Sequence, residues 1–487
     1  MKRAALALTI ALALGGCSFA PAYRRPQAVV PPSWPVGDAY LRQSEASLPA
    51  LTYRDIFRDP KLVAIIDRAL VNNQDLRLAL ANVQAARAQA KVVRADLFPS
   101  IDAGGTYTES KSSGATSSSF AAGTRRTNYG ADIGISSWEI DLFGRLRNLS
   151  DAAFDEYLGT EAAARGARLA LVAQVTNAYF AIAADRSLLA VARETQASAS
   201  RSVELTRALL QGGVAPRSDL RQAETILAQA EADQAEQETA VAQDRNALEL
   251  LVGAPVADEL LPASIESLDG LLGDVPAGLD SSILLRRPDV VEAEYQLRAA
   301  NARIGAARAA FFPRISLTAA FGFASANLSS LFTEDAHSWS VAPSATVPIF
   351  AGGANIGNLR FTQAQREAAV ATYGRTVQTA FREVADALAR RGTIDRQYAA
   401  TARLEAAARD TLGLAIARYR EGIDAYLATL DAQRTAYTAR RTLTSVRLLK
   451  AQNVVELYRS LGGDQLIDTL PPPKPGKDAK PQDAMRP

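Results

Sequence analysis

The stretch Arg94–Tyr107, RADLFPSIDAGGTY, recurs in the second half of the chain at Arg308–Phe321 as RAAFFPRISLTAAF. In both copies a proline is followed by residues that alternate between apolar or small and polar, most clearly from Ile315 to Phe323. Alternation with a period of two residues is typical of a β-strand with one apolar and one polar face. The sequence therefore predicts a strand at the same place in each half of the chain.

Three more segments repeat in the same order. EIDLFGRLRN is matched by TVPIFAGGANIGNLR, QGGVAPRSDLRQAE by REGIDAYLATLDAQR, and LELLVG by LYRSLGG. The repeat is far longer than the roughly 20–50 residues of a solenoid unit, so each copy forms a large structural half and not one stacked repeat. We predict an internal duplication.

Four strands are predicted, at about 100–109, 128–142, 314–324 and 338–350, and their lengths approach the ~9–11 residues of a transmembrane β-strand. The segments within each pair are rich in serine and other small residues, which predicts exposed loops. His337, the single histidine, is assigned to the second loop as a polar residue. A soluble sheet with one wet face fits the strands locally, but the long helices elsewhere weigh against it.

Most of the remaining chain is rich in alanine, leucine, glutamate and arginine, as helices are. Helices are predicted over Arg145–Gln211, Asp219–Leu251, Pro288–Phe311, Asn355–Glu421 and Leu427–Leu461. The first would reach ~100 Å as a straight helix, whereas a bilayer core is only ~30 Å thick. These helices must therefore project far from any membrane, and the glycines near 212 and 422 mark reversals at their tips.

The N-terminus MKRAALALTIALALGG has basic residues followed by a short apolar run, which is typical of a secretory signal. The following Cys17 is the only cysteine, and LGGC resembles a bacterial lipobox in which the cysteine is acylated; a buried free cysteine is the alternative. The predicted organisation is a signal peptide (1–16), a lipidated extended segment (17–50), a first repeat (51–259), a connector (260–282), a second repeat (283–463) and a disordered proline-rich tail (464–487).

Composition excludes several classes of function. The net charge of +2 indicates no nucleic-acid partner, and one histidine with one cysteine cannot form a zinc cluster. The glycine-rich FAGGANIGN lacks the lysine of a phosphate-binding loop. We predict no enzyme and no cofactor apart from the covalent lipid on Cys17.

After the signal, no stretch has the ~20 mostly apolar residues of a membrane helix, so any membrane crossing must use strands. Four strands cannot close into a barrel, because the smallest membrane barrels have ~8 strands. The membrane species must therefore be an oligomer; three copies would supply twelve strands and enclose a pore.

The lipobox, the duplicated long helices and the motifs GRLRN, FFPRISL, LRRPDV and LDAQR together resemble the outer membrane factors, the TolC-like ducts of tripartite efflux pumps, in their NodT-type lipoprotein branch. The resemblance covers Leu51 to Leu461. It implies a homotrimer with a twelve-stranded outer membrane β-barrel continued by a periplasmic α-helical barrel. It also implies a periplasmic adaptor, an inner-membrane pump, and a passive exit duct for drugs or other small molecules. A type I-like protein export duct and an anchored coiled-coil scaffold without a pore are the alternatives.

The same resemblance implies a periplasmic gate in YLATLDAQR. Leu427, Asp431 and Arg434 match the family's constriction and share one helical face, and Tyr419 resembles its gate-linking tyrosine. Asp424 stands where some members carry an arginine, and a solvated Asp431–Arg434 ion pair is the alternative interpretation. The reversals are assigned to adaptor contact; their residues are Gly213, Arg217, Asp219, Gly422 and Tyr426.

Overall fold

The computed structural model describes residues 18–27, 30–31, 33–35, 39–40, 52–111, 125–273 and 281–463. The helices are α1 (Tyr53–Ile56), α2 (Pro60–Asn72), α3 (Gln74–Ala95), α4 (Arg145–Gln211), α5 (Arg217–Val252), α6 (Pro288–Ala309), α7 (Ala354–Arg420) and α8 (Tyr426–Ser460). The strands are β1 (Asp102–Lys111), β2 (Arg125–Ile140), β3 (Arg314–Ser325) and β4 (His337–Thr346). Short 3₁₀ turns lie at Asp258–Leu260, Glu266–Leu268, Ser281–Arg286, Leu328–Ser330 and Glu334–Ala336.

The long helices lie where the sequence places them. Helix α4 has the predicted bounds, and α5 to α8 begin and end within a few residues of their predicted ends. Helices α2 and α3 were not assigned individually from the sequence. Helix α2 begins with proline at its first position, and the carboxylate of Asp59 accepts the backbone N–H of Lys61 (2.9 Å) as an N-cap.

The four strands form one antiparallel sheet in the order β1-β2-β3-β4. The sequence predicted two hairpins, and the structure joins them through β2 and β3, where Ile133 lies opposite Phe321. The register places the alternating apolar residues of all four strands on one face. Every residue of the two edge strands β1 and β4 is exposed. Neither face of these two strands therefore packs against a protein core.

A β-bulge in β2 changes the pattern that the sequence suggests. The register shifts between Ile135 and Trp138, and Ser137 adopts a positive φ of 53° while its N–H donates to the Thr318 hydroxyl (3.2 Å). The extra residue returns Trp138 to the apolar face, opposite Leu317. The strand ends at Ile140, so the predicted end at 142 is too late.

Two sequence assignments near β4 are wrong. His337 is the first residue of β4 and not a loop residue, because it pairs with Phe323 in the ladder. Its ring packs edge-on against Phe321 (4.6 Å between centroids) and Phe323 (6.0 Å). The strand ends at Thr346 and not at 350, because the last ladder pair of β4 joins Thr346 to Arg314, the first residue of β3.

The chain divides into two compact units. The first contains the sheet, with Ala81–Glu161, Glu292–Gly374 and the N-terminal residues to Gln27; in it, alanines at 152, 299 and 302 pack together. The second contains Ala162–Val291, Arg375–Pro487 and Ala28–Leu80.

The second unit is held by a buried arginine. Arg287 is 5% exposed and donates to the backbone carbonyl of Ser460 (2.8 Å), at the end of α8, and to the carboxylate of Glu383 (2.8 Å) on α7. Among the described helices one, α4, is long and apolar enough to span a membrane, but 56% of its apolar window is buried in the protein. Burial of this kind is typical of a core helix.

Candidate functional site

The two helix reversals, which we call tip 1 (211–217) and tip 2 (420–426), have the same backbone design. Gly213 and Gly422 adopt positive φ values of 75° and 69°. In tip 1 the N–H of Val214 donates to the carbonyl of Leu209 (2.9 Å), and in tip 2 the N–H of Ile423 donates to that of Arg418 (2.9 Å). Each pattern is a left-handed C-terminal cap, for which glycine is the preferred residue.

Both tips lie at the same end of the second unit. Tyr426 and Leu430 of α8 pack with Val203 of α4 and Ala223 of α5 in one apolar cluster. The ring of Tyr419 lies 5.2 Å from that of Tyr426, and the Tyr419 hydroxyl is buried without a hydrogen-bond partner among the described residues. Burial raises the pKa of Tyr426.

The three residues assigned to a gate share an exposed face of α8. Leu427 is 64% exposed, and Asp431 and Arg434 are exposed beside it, whereas Tyr426 and Leu430 on the opposite face are buried. Within the described chain, neither Asp431 nor Arg434 forms an ion pair within 4.0 Å. The alternative of a solvated Asp431–Arg434 pair is therefore not what the structure contains, and both charges remain available to another molecule.

Sequence reasoning missed an ion pair across tip 2. The guanidinium of Arg418 contacts both carboxylate oxygens of Asp424, at 2.6 and 3.0 Å. This hydrogen bonding to Arg418 lowers the pKa of Asp424. Asp424, noted in the sequence as a departure from an arginine, therefore neutralises an arginine on the preceding helix. A bidentate partner six residues away across a turn has no periodic signal that could have revealed it.

The residues assigned to adaptor contact differ in exposure. Gly213, Arg217 and Gly422 are exposed and Asp219 is half-buried, but Tyr426 is only 2% exposed. The assignment of Tyr426 as a surface contact is thus wrong for this structure, because its ring fills the cluster between the hairpins. The exposed apolar residues at the tips are Val214 (76%) and Ile423 (60%).

Polar contacts join the two helical hairpins further from the tips. The hydroxyl of Tyr437 on α8 donates to the carboxylate of Asp233 on α5 (2.6 Å), and Arg440 lies 2.7 Å from Glu194 on α4. Burial and the contact with Asp233 raise the pKa of Tyr437 to about 12. These contacts hold α8 against the first hairpin.

An unneutralised carboxyl pair lies between α4 and α5. Burial and the neighbouring Asp244 carboxyl raise the pKa of Asp185 to about 6. Burial also raises the pKa of Asp244, whose Oδ2 is buried without a hydrogen-bond partner among the described residues. Two adjacent carboxyls without a cation favour a shared proton.

Cys17 lies outside the described residues, but the chain that follows it is held in place. The Ser18 hydroxyl donates to the Asn148 side chain (2.9 Å), and the ring of Phe19 stacks on that of Phe312 (4.6 Å). Phe312 comes two residues before β3. The N-terminal segment is therefore docked where the helices of the first unit meet the sheet.

Further along the segment, Tyr23 and Arg25 contact the buried carboxylate of Glu294, at 3.2 and 2.7 Å. Burial opposes ionisation of Glu294, but Arg25 and Arg298 together hold its pKa below the usual value. No group of three metal-ligating side chains occurs among the described residues.

Comparison with known proteins gives a consistent result. The family model for "Outer membrane efflux protein" matches residues 65–254 and 279–463. The chain is 42% identical over 469 residues to a toluene efflux pump outer membrane protein of Pseudomonas putida, covering 95% of this chain and 98% of that protein. It is 42% identical over 467 residues to an antibiotic efflux pump outer membrane protein of the same species, covering 95% and 96%.

The structure is similar to a solved one as well. The crystal structure of the open state of the Neisseria gonorrhoeae MtrE outer membrane channel superimposes with a TM-score of 0.81 and 34% identity, covering 92% of this chain and 99% of that one.

Proposed function

The chain belongs to the outer membrane efflux protein family, and from that premise we propose that three copies form the exit duct through which a pump discharges small amphiphilic molecules. The predictions of a TolC-like fold, an outer membrane location and a channel without enzymatic activity are confirmed by the family. The trimer, its adaptor and its cargo are proposals.

The observation that supports the trimer most directly is the open sheet. Within the described chain, β1 and β4 each have one edge without a partner strand. Unpaired backbone groups cost several kcal/mol each in lipid, so both edges must pair with other chains. Pairing β1 of one copy with β4 of the next closes a ring, and three copies supply the twelve strands of a pore-sized barrel.

Disulfide trapping tests this arrangement. With Cys17 replaced by serine, a cysteine at Thr106 of β1 is combined in turn with one at Ser338, Ser340 or Ala342 of β4. We expect one combination to give a covalent trimer on oxidation, since a closed ring has a single register. Monomers only, or open ladders of increasing size, would contradict a closed trimer.

We also propose that the tips contact a periplasmic adaptor. The exposed Val214 and Ile423 give each chain two apolar side chains at the same end, so a trimer presents six. A photo-crosslinker at Val214 or Arg217 is expected to capture an adaptor co-expressed from the same efflux system. Capture only from the sheet loop, for example at Phe332, would place the docking surface at the wrong end.

The class of molecule that the duct transports is inferred from the relatives and not from the residues of the tips. Toluene and antibiotics, named for the two Pseudomonas putida proteins, share an apolar or amphiphilic character. We propose cargo of this class. Deleting the chain from its native host should sensitise cells to such compounds, and restoration should require both the duct and its pump. Unchanged sensitivity in a host lacking every other duct would contradict the proposal.

We propose acylation of Cys17. The docked segment that begins at Ser18 would hold a lipid at the junction of helices and sheet, which is the boundary of the bilayer. Mass spectrometry of the mature N-terminal peptide tests this. An unmodified Cys17, or a chain that retains Met1, would end the proposal.

A further inference from the structure

The two faces of the sheet have different compositions. The apolar face displays side chains such as Ile133, Phe321 and Trp339, which lie on one side of three neighbouring strands. In an outer membrane channel this face contacts lipid, because an apolar band faces outward on membrane barrels. The opposite face therefore lines the lumen.

In the middle of the lumen face, small residues surround one carboxylate. One row across the sheet consists of Gly104, Asp132, Gly322 and Ser338, paired in the ladder. Along β2 itself, the nearest residues on the same face are Gly130 and Gly134. Asp132 thus has glycine on four sides, and its exposed side chain has side-chain neighbours only on the diagonals, such as Asp102 and Thr106.

At Gly322 and Gly134 the neighbouring backbone leaves no room for a side chain. A Cβ at Gly322 would lie 2.6 Å from Cα of Asp132, and one at Gly134 would lie 2.5 Å from the carbonyl oxygen of Ala319. Glycine weakens a strand interior and is retained where another group approaches closely. At Gly104 a Cβ would meet the Asp132 carboxylate at 3.7 Å, so the carboxylate extends over that glycine.

The charge of Asp132 is not neutralised locally. No described residue forms an ion pair or hydrogen bond with its carboxylate. Arg126, the nearest basic residue on this face of β2, lies six residues away, about 20 Å along the strand. At the other end of the sheet, Arg314 lies 3.3 Å from Glu139 and pairs with it. The next acid on the face is Asp102, whose ladder partner is Gly134, one row nearer the helices.

We propose that Asp132, with Asp102 beside it, makes the barrel segment of the duct select cations over anions and favours positively charged cargo. This inference rests on the proposed trimer, which would place three copies of each carboxylate around the lumen at nearly one height. Fixed charge of one sign on a channel wall raises the local concentration of ions of the opposite sign. The four adjacent glycines have no side chains that would cover the carboxylate, and no described basic residue pairs with it.

Ionic strength gives the expected size of the effect. The screening length is about 30 Å at 0.01 M salt and about 3 Å at 1 M, so the carboxylates influence ions across the lumen only in dilute solution. In planar bilayers with a tenfold KCl gradient at the low end of this range, Asp132→Asn should lower the K⁺/Cl⁻ permeability ratio by about twofold or more. At 1 M salt the variant and the parent should converge.

The proposed gate residues are also charged and would contribute to selectivity. The parent and the Asp132→Asn variant should therefore be compared in a background that carries Asp431→Ala and Arg434→Ala. Asp132→Glu tests folding, because it retains the charge and should retain the parent ratio. Asp75→Asn is the matched control: it removes an exposed carboxylate from α3, outside the sheet.

An unchanged permeability ratio in an Asp132→Asn trimer that conducts normally would overturn this proposal and leave the duct intact. A parent protein that forms no conducting trimer at all would instead overturn the proposed function.

Discussion

Tip 1 and tip 2 derive from the same duplicated segment and differ in what their side chains do. Their backbones are nearly identical, with a left-handed glycine and the same capping hydrogen bonds. In tip 1 the helix that follows starts with the exposed Arg217, whereas in tip 2 it starts with the buried Tyr426. The comparison indicates that duplication preserved the turn and that substitution made only the second hairpin a candidate gate.

The strongest test of this asymmetry replaces the exposed charges of α8. Asp431→Ala together with Arg434→Ala should raise single-channel conductance several-fold and make cells leakier to large antibiotics, because the proposed constriction loses its charged side chains. Planar bilayer recording measures the first effect, and trimer assembly should not change.

The equivalent positions of the first hairpin, Gln222 and Thr225, provide the matched control. Gln222→Ala with Thr225→Ala should leave conductance unchanged if only the second hairpin closes the duct. Equal effects in the two hairpins would mean that both line the gate, and no effect in either would move the gate elsewhere.

Among effects on stability, the largest is expected at Tyr426. Replacing this buried ring by alanine should destabilise the tip by about 3–5 kcal/mol, as is typical of large aromatic truncations in a core. Arg217→Ala, at the equivalent position of tip 1, should change stability by less than about 0.5 kcal/mol because its side chain is exposed. Hydrogen exchange of the first turns of α5 and α8 measures both. Similar protection losses would remove the asymmetry.

The tip glycines should behave alike. An added Cβ meets no atom within 4 Å at Gly213 or Gly422, so only backbone strain opposes alanine. Gly213→Ala and Gly422→Ala should each cost about 1–2 kcal/mol, the penalty for an L-residue in the left-handed region. Local opening measured by hydrogen exchange checks this. A much larger loss of stability for Gly422→Ala would show that the turn of tip 2 is constrained by more than the backbone strain common to both tips.

The smallest expected effect concerns pH. The pKa of Asp185 is raised to about 6, so between about pH 4 and pH 6 the folded protein binds more protons than the unfolded chain. Its contribution to stability is full below that range and is lost as pH rises through it. Solvent screening of this partly exposed pair limits the loss to roughly 1 kcal/mol.

Asp185→Asn should remove this pH dependence from the first hairpin. The equivalent positions in the second hairpin are Ile394 and Asn453, which do not titrate. Hydrogen exchange at pH 4.5 and 7 should therefore differ between the hairpins in the parent protein and not in the variant. Loss of stability on acidification at α4 and α5 would contradict the shared proton.

Much of the fold was predictable from local pattern. The bounds of helix α4 were predicted correctly, because its 67 residues contain no proline and are rich in helix-forming types. The position of strand β3 was predicted almost as accurately, since apolar residues alternate with polar or small ones from Ile315 to Phe323. Both tips were located from glycine, and both contain it in the left-handed conformation.

The missed features share a physical cause. The β-bulge at Ser137, the strand position of His337 and the burial of Tyr426 each depend on a partner from a distant part of the chain. Periodicity reports only which side of an element is apolar, and Tyr426 beside Leu427 at the start of a helix gives no sign of which one faces inward. Arg418 and Asp424 form an ion pair because the turn of tip 2 brings Asp424 back beside the preceding helix.

By itself, the sequence determined the duplication, the period of each element and the positions of the turns, because these depend on residues close together in the chain. Tertiary structure alone decided that the two predicted hairpins join into one sheet, that Asp132 lies among glycines from three strands, and that Asp431 and Arg434 remain unpaired on an exposed face. Such features depend on register and packing between segments up to hundreds of residues apart, which no local pattern encodes.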